Sequence, residues 1–190
     1  MADETTPRAA SDDAAADETV EENTARDLPD DPILAGLAEA FAMVEFTSFQ
    51  PIVGPRQDTA IVPSEDLVAF VQAVKDAGFE TFIDLCAVDH LNREPRYDVV
   101  INLLSMEHAQ RLIIKVGIPG NEPSVDSITP VYTGANFYER EAWDLFGIVF
   151  EGHTDLTRIL LPDEWEGHPL RKNYSVGAVP VQFKGSHKSS

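Results

Sequence analysis

Three apolar stretches of strand character, "ETFIDLCAVDHL", "RYDVVINLLSM" and "QRLIIKVGIP", follow one another between Glu80 and Pro119 with only turn-forming or polar residues between them. Short apolar runs separated by such loops predict an antiparallel meander. In the third, Leu112, Ile114, Val116 and Ile118 alternate on one face. A sheet with one apolar face has to be covered by helices or by a second sheet, and this requirement constrains the fold more than any other feature.

The covering helices are legible upstream. Ser64 is a candidate cap, Glu65 and Asp66 sit in the first turn where the helix dipole favours them, Leu67, Phe70, Val71 and Val74 form one stripe, and Gly78 is a stop. A shorter amphipathic helix starts at Asp31 as cap and Pro32 as first helical residue, with Ile33, Leu34, Leu37, Ala38 and Phe41 on one face. Extended pieces, Val44 to Phe49 and Thr59 to Val62, bracket "QPIVGPRQ", whose prolines and glycine interrupt any continuous strand. After Pro119 the strand signal ends.

Strands and helices without regular βαβ alternation predict an α+β domain: a short antiparallel sheet with flanking helices, a disordered acidic N-terminal arm and an extended C-terminal tail. The expected division is residues 1–31 for the arm, 32–161 for the domain and 162–190 for the tail. The arm carries 11 acidic residues and two arginines up to Pro32, a charge run with little to bury. The tail is rich in proline, glycine and polar residues. Its Trp165, Leu170 and Tyr174 suggest that its first half is pinned to a partner.

Charge and cysteine count exclude several functions. With 33 acidic and 14 basic residues the net charge is −19, which opposes binding to nucleic acid or to anionic lipid. One cysteine, Cys86, allows no intrachain disulfide, no redox pair and no four-thiolate iron–sulfur cluster. The start, "MADETTPRAASDD", lacks the basic patch and apolar stretch of a secretory signal, so the expected location is cytosolic with docking on a membrane-bound partner left open. "GIPGNEP" has not the glycine spacing of a dinucleotide loop.

The chemistry-bearing residues gather in "FYEREAWDLFGIVFEGHTDLTRILLP", Phe137 to Pro162. Asn136 and Glu139 have the spacing of a capping box, the helix would run to Phe146 with Gly147 ending it, and Tyr138, Ala142 and Leu145 would face inward. Arg140 and Asp144 stand one turn apart and can pair, for only ~0.3–0.5 kcal/mol if exposed. A catalytic alternative uses Glu141 with Asp144 as an acid/base pair, or His153 oriented by Asp155. Structural ion pairs are the commoner source of such clusters. No histidine pair has metal-ligand spacing, and Asp84, Asp89 and His90 read as polar groups at a strand end.

"EREAWDLFGIVFEGHTDLTRILLPDEWEGHPLRKNY", Glu139 to Tyr174, resembles the signature of the thirty-kilodalton subunit of respiratory complex I, the proton-translocating NADH:quinone oxidoreductase. The matching positions include Glu139, Arg140, Glu141, Asp144, His153, Arg158, Arg171, Lys172 and Tyr174, and Trp165 lies among them. Thr157 departs from the family, which usually has a basic residue there. The resemblance implies a peripheral-arm subunit with no catalytic residue, flavin, nucleotide, quinone or metal site of its own, the FMN and Fe–S clusters residing in partner subunits. It implies contact with the large quinone-chamber subunit, of the forty-nine-kilodalton type, and with neighbouring Fe–S subunits. The implied location is the cytoplasmic face of the cell membrane, held peripherally through the complex. A membrane-bound hydrogenase-type complex with an equivalent subunit is the nearest alternative, and a stand-alone carboxylate/histidine hydrolase a more distant one.

Overall fold

The computed structural model describes residues 31–54 and 56–175. Most of the acidic arm and the end of the tail, residues 176–190, lie outside these.

Helix α1, Pro32–Ala40, starts where Asp31 accepts the N–H groups of Ile33 (2.8 Å) and Leu34 (3.1 Å), as the Asp-Pro pair predicts. Strands β1, Glu45–Phe49, and β2, Gln57–Ile61, form an antiparallel hairpin around the interrupted segment. A 3-10 turn over Ser64–Asp66 leads into α2, Leu67–Asp76. Ser64 is therefore not the side-chain cap expected of it, because the tight turn puts it within the coil and its hydroxyl faces Glu65 at 3.4 Å.

The meander forms as β3, Thr81–Asp89, β4, Tyr97–Ser105, and β5, Gln110–Ile118. Its pairings are antiparallel, but β2 joins β5 in parallel, so the five-stranded sheet, in order β1-β2-β5-β4-β3, is mixed. The parallel contact follows from connectivity: the β1–β2 hairpin meets the free edge of β5 only after α2 and the meander have been laid down.

Alternation fixes which side is core. Val99, Ile101, Leu103, Leu112, Ile114, Val116 and Ile118 are fully buried and share one cluster with Leu34, Phe70, Val71 and Val74 of the helices. Burying each such side chain contributes about 1.5–3 kcal/mol, so this face supplies most of the driving force for folding.

Beyond Pro119 the chain makes a two-stranded parallel pairing of β6, Ser124–Asp126, with β7, Val149–Glu151, where no strand is evident from sequence. Three residues are too few to show a period. Between them lies α3, Asn136–Phe146, packed against β3 with Phe82 edge-on to Tyr138.

Candidate interaction site at the end of the third helix

Helix α3 ends at Gly147, whose φ of +72° suits a residue without Cβ and whose N–H bonds the Trp143 carbonyl at 2.8 Å. The chain then passes through β7 and returns beside the helix. There Asp144, fully buried, accepts four donors: Arg158 Nη1 at 2.6 Å and the backbone N–H groups of Ile159 (3.2 Å), Leu160 (2.9 Å) and Leu161 (3.0 Å). Burial alone would raise the Asp144 pKa, but the N–H groups of Leu161 and Leu160, the Arg158 guanidinium and the Ile159 N–H together hold it below the ordinary carboxylate range. The other end of Arg158 donates to the Trp165 carbonyl at 2.8 Å, and its guanidinium stands 5.6 Å from the Trp143 ring.

The expected Arg140–Asp144 pair does not form. Asp144 points at residues 158–161, while Arg140 donates to the Thr157 hydroxyl (2.6 Å) and carbonyl (3.1 Å) and lies 3.9 Å from Asp155. Thr157 thus meets a cation instead of supplying one.

The expected capping box is also replaced. The 3-10 turn Thr133–Ala135 runs directly into α3, so Asn136 is already helical and caps nothing with its side chain. Glu139 is fully buried instead, accepting from the Ser127 hydroxyl (2.7 Å) and the Ile128 N–H (2.8 Å), and so ties the 127–129 loop to the helix. Burial raises its pKa against the opposing pull of these two donors and of His153.

The catalytic alternatives find little support in the geometry. Glu141 is exposed whereas Asp144 is sealed. His153 Nδ1 accepts the backbone N–H of Asp155 (3.1 Å) rather than meeting its carboxylate, and Nε2 donates to the Asn136 carbonyl at 3.3 Å. Among the described residues no three His, Cys, Asp or Glu side chains gather as a metal site requires.

Residues 165–175 form a strap across the helix end and the β3–β4 corner. Leu170 N–H bonds the Leu145 carbonyl (3.1 Å), and Arg171 donates through Nε to the Phe146 carbonyl (2.5 Å), placing a cation at the negative end of the helix dipole. The Lys172 N–H bonds Asp89 (2.8 Å), which also takes two bonds from Arg96 (2.8 and 2.7 Å), and Arg96 reaches Asn173 at 2.8 Å. The Arg96 hydrogen bonds, with those from Lys172 and Leu91, outweigh burial and hold Asp89 well below the ordinary carboxylate range. Tyr174 closes the strap by donating to the Glu166 carbonyl (3.2 Å). Up to Ser175 the tail thus rests on the chain's own domain, with the Lys172 side chain and Leu170 facing outward.

Asp89, Arg96 and His168 carry this arrangement, and sequence gives no sign of their contacts because the partners lie far along the chain. His168 Nδ1 donates to the Asp144 carbonyl at 2.9 Å. Burial, with the nearby Arg171 and Arg158 charges, lowers its pKa despite the favourable Asp144 carbonyl. Between that lowered value and the unfolded value of about 6.5, the unfolded chain binds more protons than the folded one, so stability declines as pH falls through the window. Urea midpoints followed from about pH 7 to about pH 5 are expected to drop, and His168→Gln is expected to flatten this part of the profile.

Residues 60–179 match the family model described as "Respiratory-chain NADH dehydrogenase, 30 Kd subunit". A curated relative from Roseiflexus sp. (strain RS-1), named as the C-type subunit of an NADH-quinone oxidoreductase, is 47% identical over 118 residues, covering 62% of this chain and 68% of its own. Among solved structures, "Nqo5 of the trypsin-resistant fragment (1-134) in P63 form" superposes with a TM-score of 0.53 at 32% identity, over 58% of this chain and 89% of that one. A chain of the "membrane-bound sulfane sulfur reductase (MBS), an archaeal respiratory membrane complex", shares the fold with a TM-score of 0.66 at 22% identity, over 83% of this chain and 96% of that one.

Proposed function

The chain belongs to the family of the thirty-kilodalton subunit of respiratory-chain NADH dehydrogenase, and from this premise we propose that it is a non-catalytic structural and assembly subunit of an NADH:quinone oxidoreductase. In this reading electrons pass from NADH through FMN and Fe–S centres in partner subunits to quinone, with coupled proton translocation, and this chain gives the peripheral arm part of its shape. Its neighbours are the large quinone-chamber subunit and Fe–S subunits, and it reaches the cytoplasmic face of the membrane through them. No helix among the described residues is long and apolar enough to cross a membrane.

The observation that carries this reading is the coordination of Asp144. This fully buried carboxylate of the family motif has its oxygens occupied by Arg158 and three backbone N–H groups, which leaves it suited to holding a loop and unsuited to exchanging protons with a substrate. Exposed Ile159, Leu160, Leu170 and Lys172 on the loop and strap so held are the side chains offered to a neighbour.

Arg140→Ala, which releases Thr157 from α3, tests the role. Membrane NADH:quinone activity is expected to fall in proportion to the amount of assembled complex seen on native gels, with turnover per assembled complex unchanged. A catalytic role would instead lower turnover in complexes that assemble fully.

A further inference from the structure

The strand register places a second surface on the side of the sheet away from the core. Its outward rows run Phe49–Gln57–Arg111–Leu104, then Thr47–Thr59–Ile113–Asn102–Asp84, then Glu45–Ile61–Lys115–Val100–Cys86, with Gly117, Asp98 and Val88 beyond. Phe49, Ile61 and Val88 are exposed, and the hairpin tip beyond Phe49 adds Ile52 and Val53, both almost fully exposed. A hollow of about 180 Å³ opens in the middle of the face, with Ile83 and Ile113 among its walls and Gln57, Asp84, Asn102 and Arg111 as its polar groups.

We infer that this outer sheet face is a protein-docking surface whose occupant is another subunit presenting carboxylates to Arg111 and Lys115. The inference rests on the subunit role proposed above. Five strands ~4.8 Å apart and up to nine residues long give a footprint on the order of 600 Å², near the ~800 Å² that each partner contributes to a standard interface.

Charge selects the occupant. Asp98 is already engaged by Arg93 and His90, and Asp84 by the Asn102 amide at 2.6 Å. Arg111 and Lys115 are exposed and meet no carboxylate among the described residues, which leaves Glu45 at the sheet edge as the face's remaining acid against two cations. A cationic patch on a chain of net charge −19 attracts an acidic surface. A second copy is a poorer occupant, because the overall charges of two such chains repel.

Cys86, the one cysteine of the chain, is exposed within this face and reports on it. Maleimide labelling of the isolated full-length chain and of the purified complex, at one fixed pH, is expected to be about tenfold or more slower in the complex. Arg111→Glu with Lys115→Glu is expected to reduce recovery of the chain with the complex by about tenfold while its thermal midpoint stays unchanged. Labelling at the free-chain rate within an intact complex would overturn the docking face and leave the subunit reading standing. So would slow labelling of the isolated chain that becomes fast when residues 1–30 or 176–190 are removed, since the cover would then be the chain's own. Failure of the chain to copurify with any cluster-bearing subunit would remove the subunit reading and this inference together.

Discussion

Replacing Asp144 with alanine is expected to destabilise the chain by about 3–5 kcal/mol, because it leaves the Arg158 guanidinium half-buried without its counter-ion and orphans three backbone N–H groups at once. For a domain of this size the thermal midpoint should fall by roughly 10 °C. Asp144→Asn keeps one acceptor oxygen but turns an NH₂ toward a site that supplies only donors, so it should lose at least half as much. In the double variant with Arg158→Ala the uncompensated guanidinium is gone, so the combined loss should be clearly less than the sum of the two single losses. Calorimetry on the wild type, the two single variants and the double variant measures this directly. Additive losses, or a change within ~0.5 kcal/mol for Asp144→Ala, would mean that the cluster is an ordinary surface ion pair.

The same carboxylate sets part of the acid response, with a sign fixed by its environment. Asp144 and Asp89 have folded pKa values below their unfolded ones, so their contribution is complete above about pH 4 and is lost as pH falls through the folded values. Glu139 acts oppositely, since its raised folded value lets the native state hold a proton longer and its penalty grows as pH rises through that window. The His168 limb lies at higher pH than those of the two aspartates.

Sequence discloses those parts of the structure that depend on near neighbours. The meander, the inward row of β5, the Asp31 cap of α1 and the left-handed stop at Gly147 follow from period-2 alternation, a capping side chain and a residue without Cβ. What stays hidden depends on contacts far along the chain. Asp144 and Arg158 are 14 residues apart, so the i, i+4 rule points to Arg140, and only the returning loop shows the other partner. Asn136 and Glu139 have capping-box spacing, but the preceding 3-10 turn absorbs the helix start and turns Glu139 inward to Ser127. Trp165 and Tyr174 suggest an outside surface, yet the strap up to Ser175 finds its partners at Asp144, Phe146 and Asp89, between 24 and 83 residues upstream. Family resemblance marks these positions as a group without saying which side chain meets which.

Gly147→Ala should dislodge that strap. Both Gly147 (φ +72°) and Gly152 (φ +80°) lie in the left-handed region, where a side chain costs about 1–2 kcal/mol, but only at Gly147 is the space occupied. A Cβ there would lie 2.5 Å from Arg171 Nη2 and from His168 Cδ2 and Nε2, whereas one at Gly152 meets nothing within 4 Å. Arg171 and His168 must therefore move, and the bonds they make to the Phe146 and Asp144 carbonyls are lost with that movement. A hydrogen bond to a charged donor contributes ~1.5–3 kcal/mol, so Gly147→Ala is expected to cost about 3–5 kcal/mol in all and Gly152→Ala about 1–2. Amide exchange separates strain from displacement: residues 168–174 should lose protection in Gly147→Ala and keep it in Gly152→Ala. Adding Arg171→Ala to Gly147→Ala should cost little more, since the bond it removes is already broken. Equal losses at the two glycines would show that the strap moves aside freely, and a strap so loosely seated could not orient the rest of the tail toward a neighbouring protein of the complex.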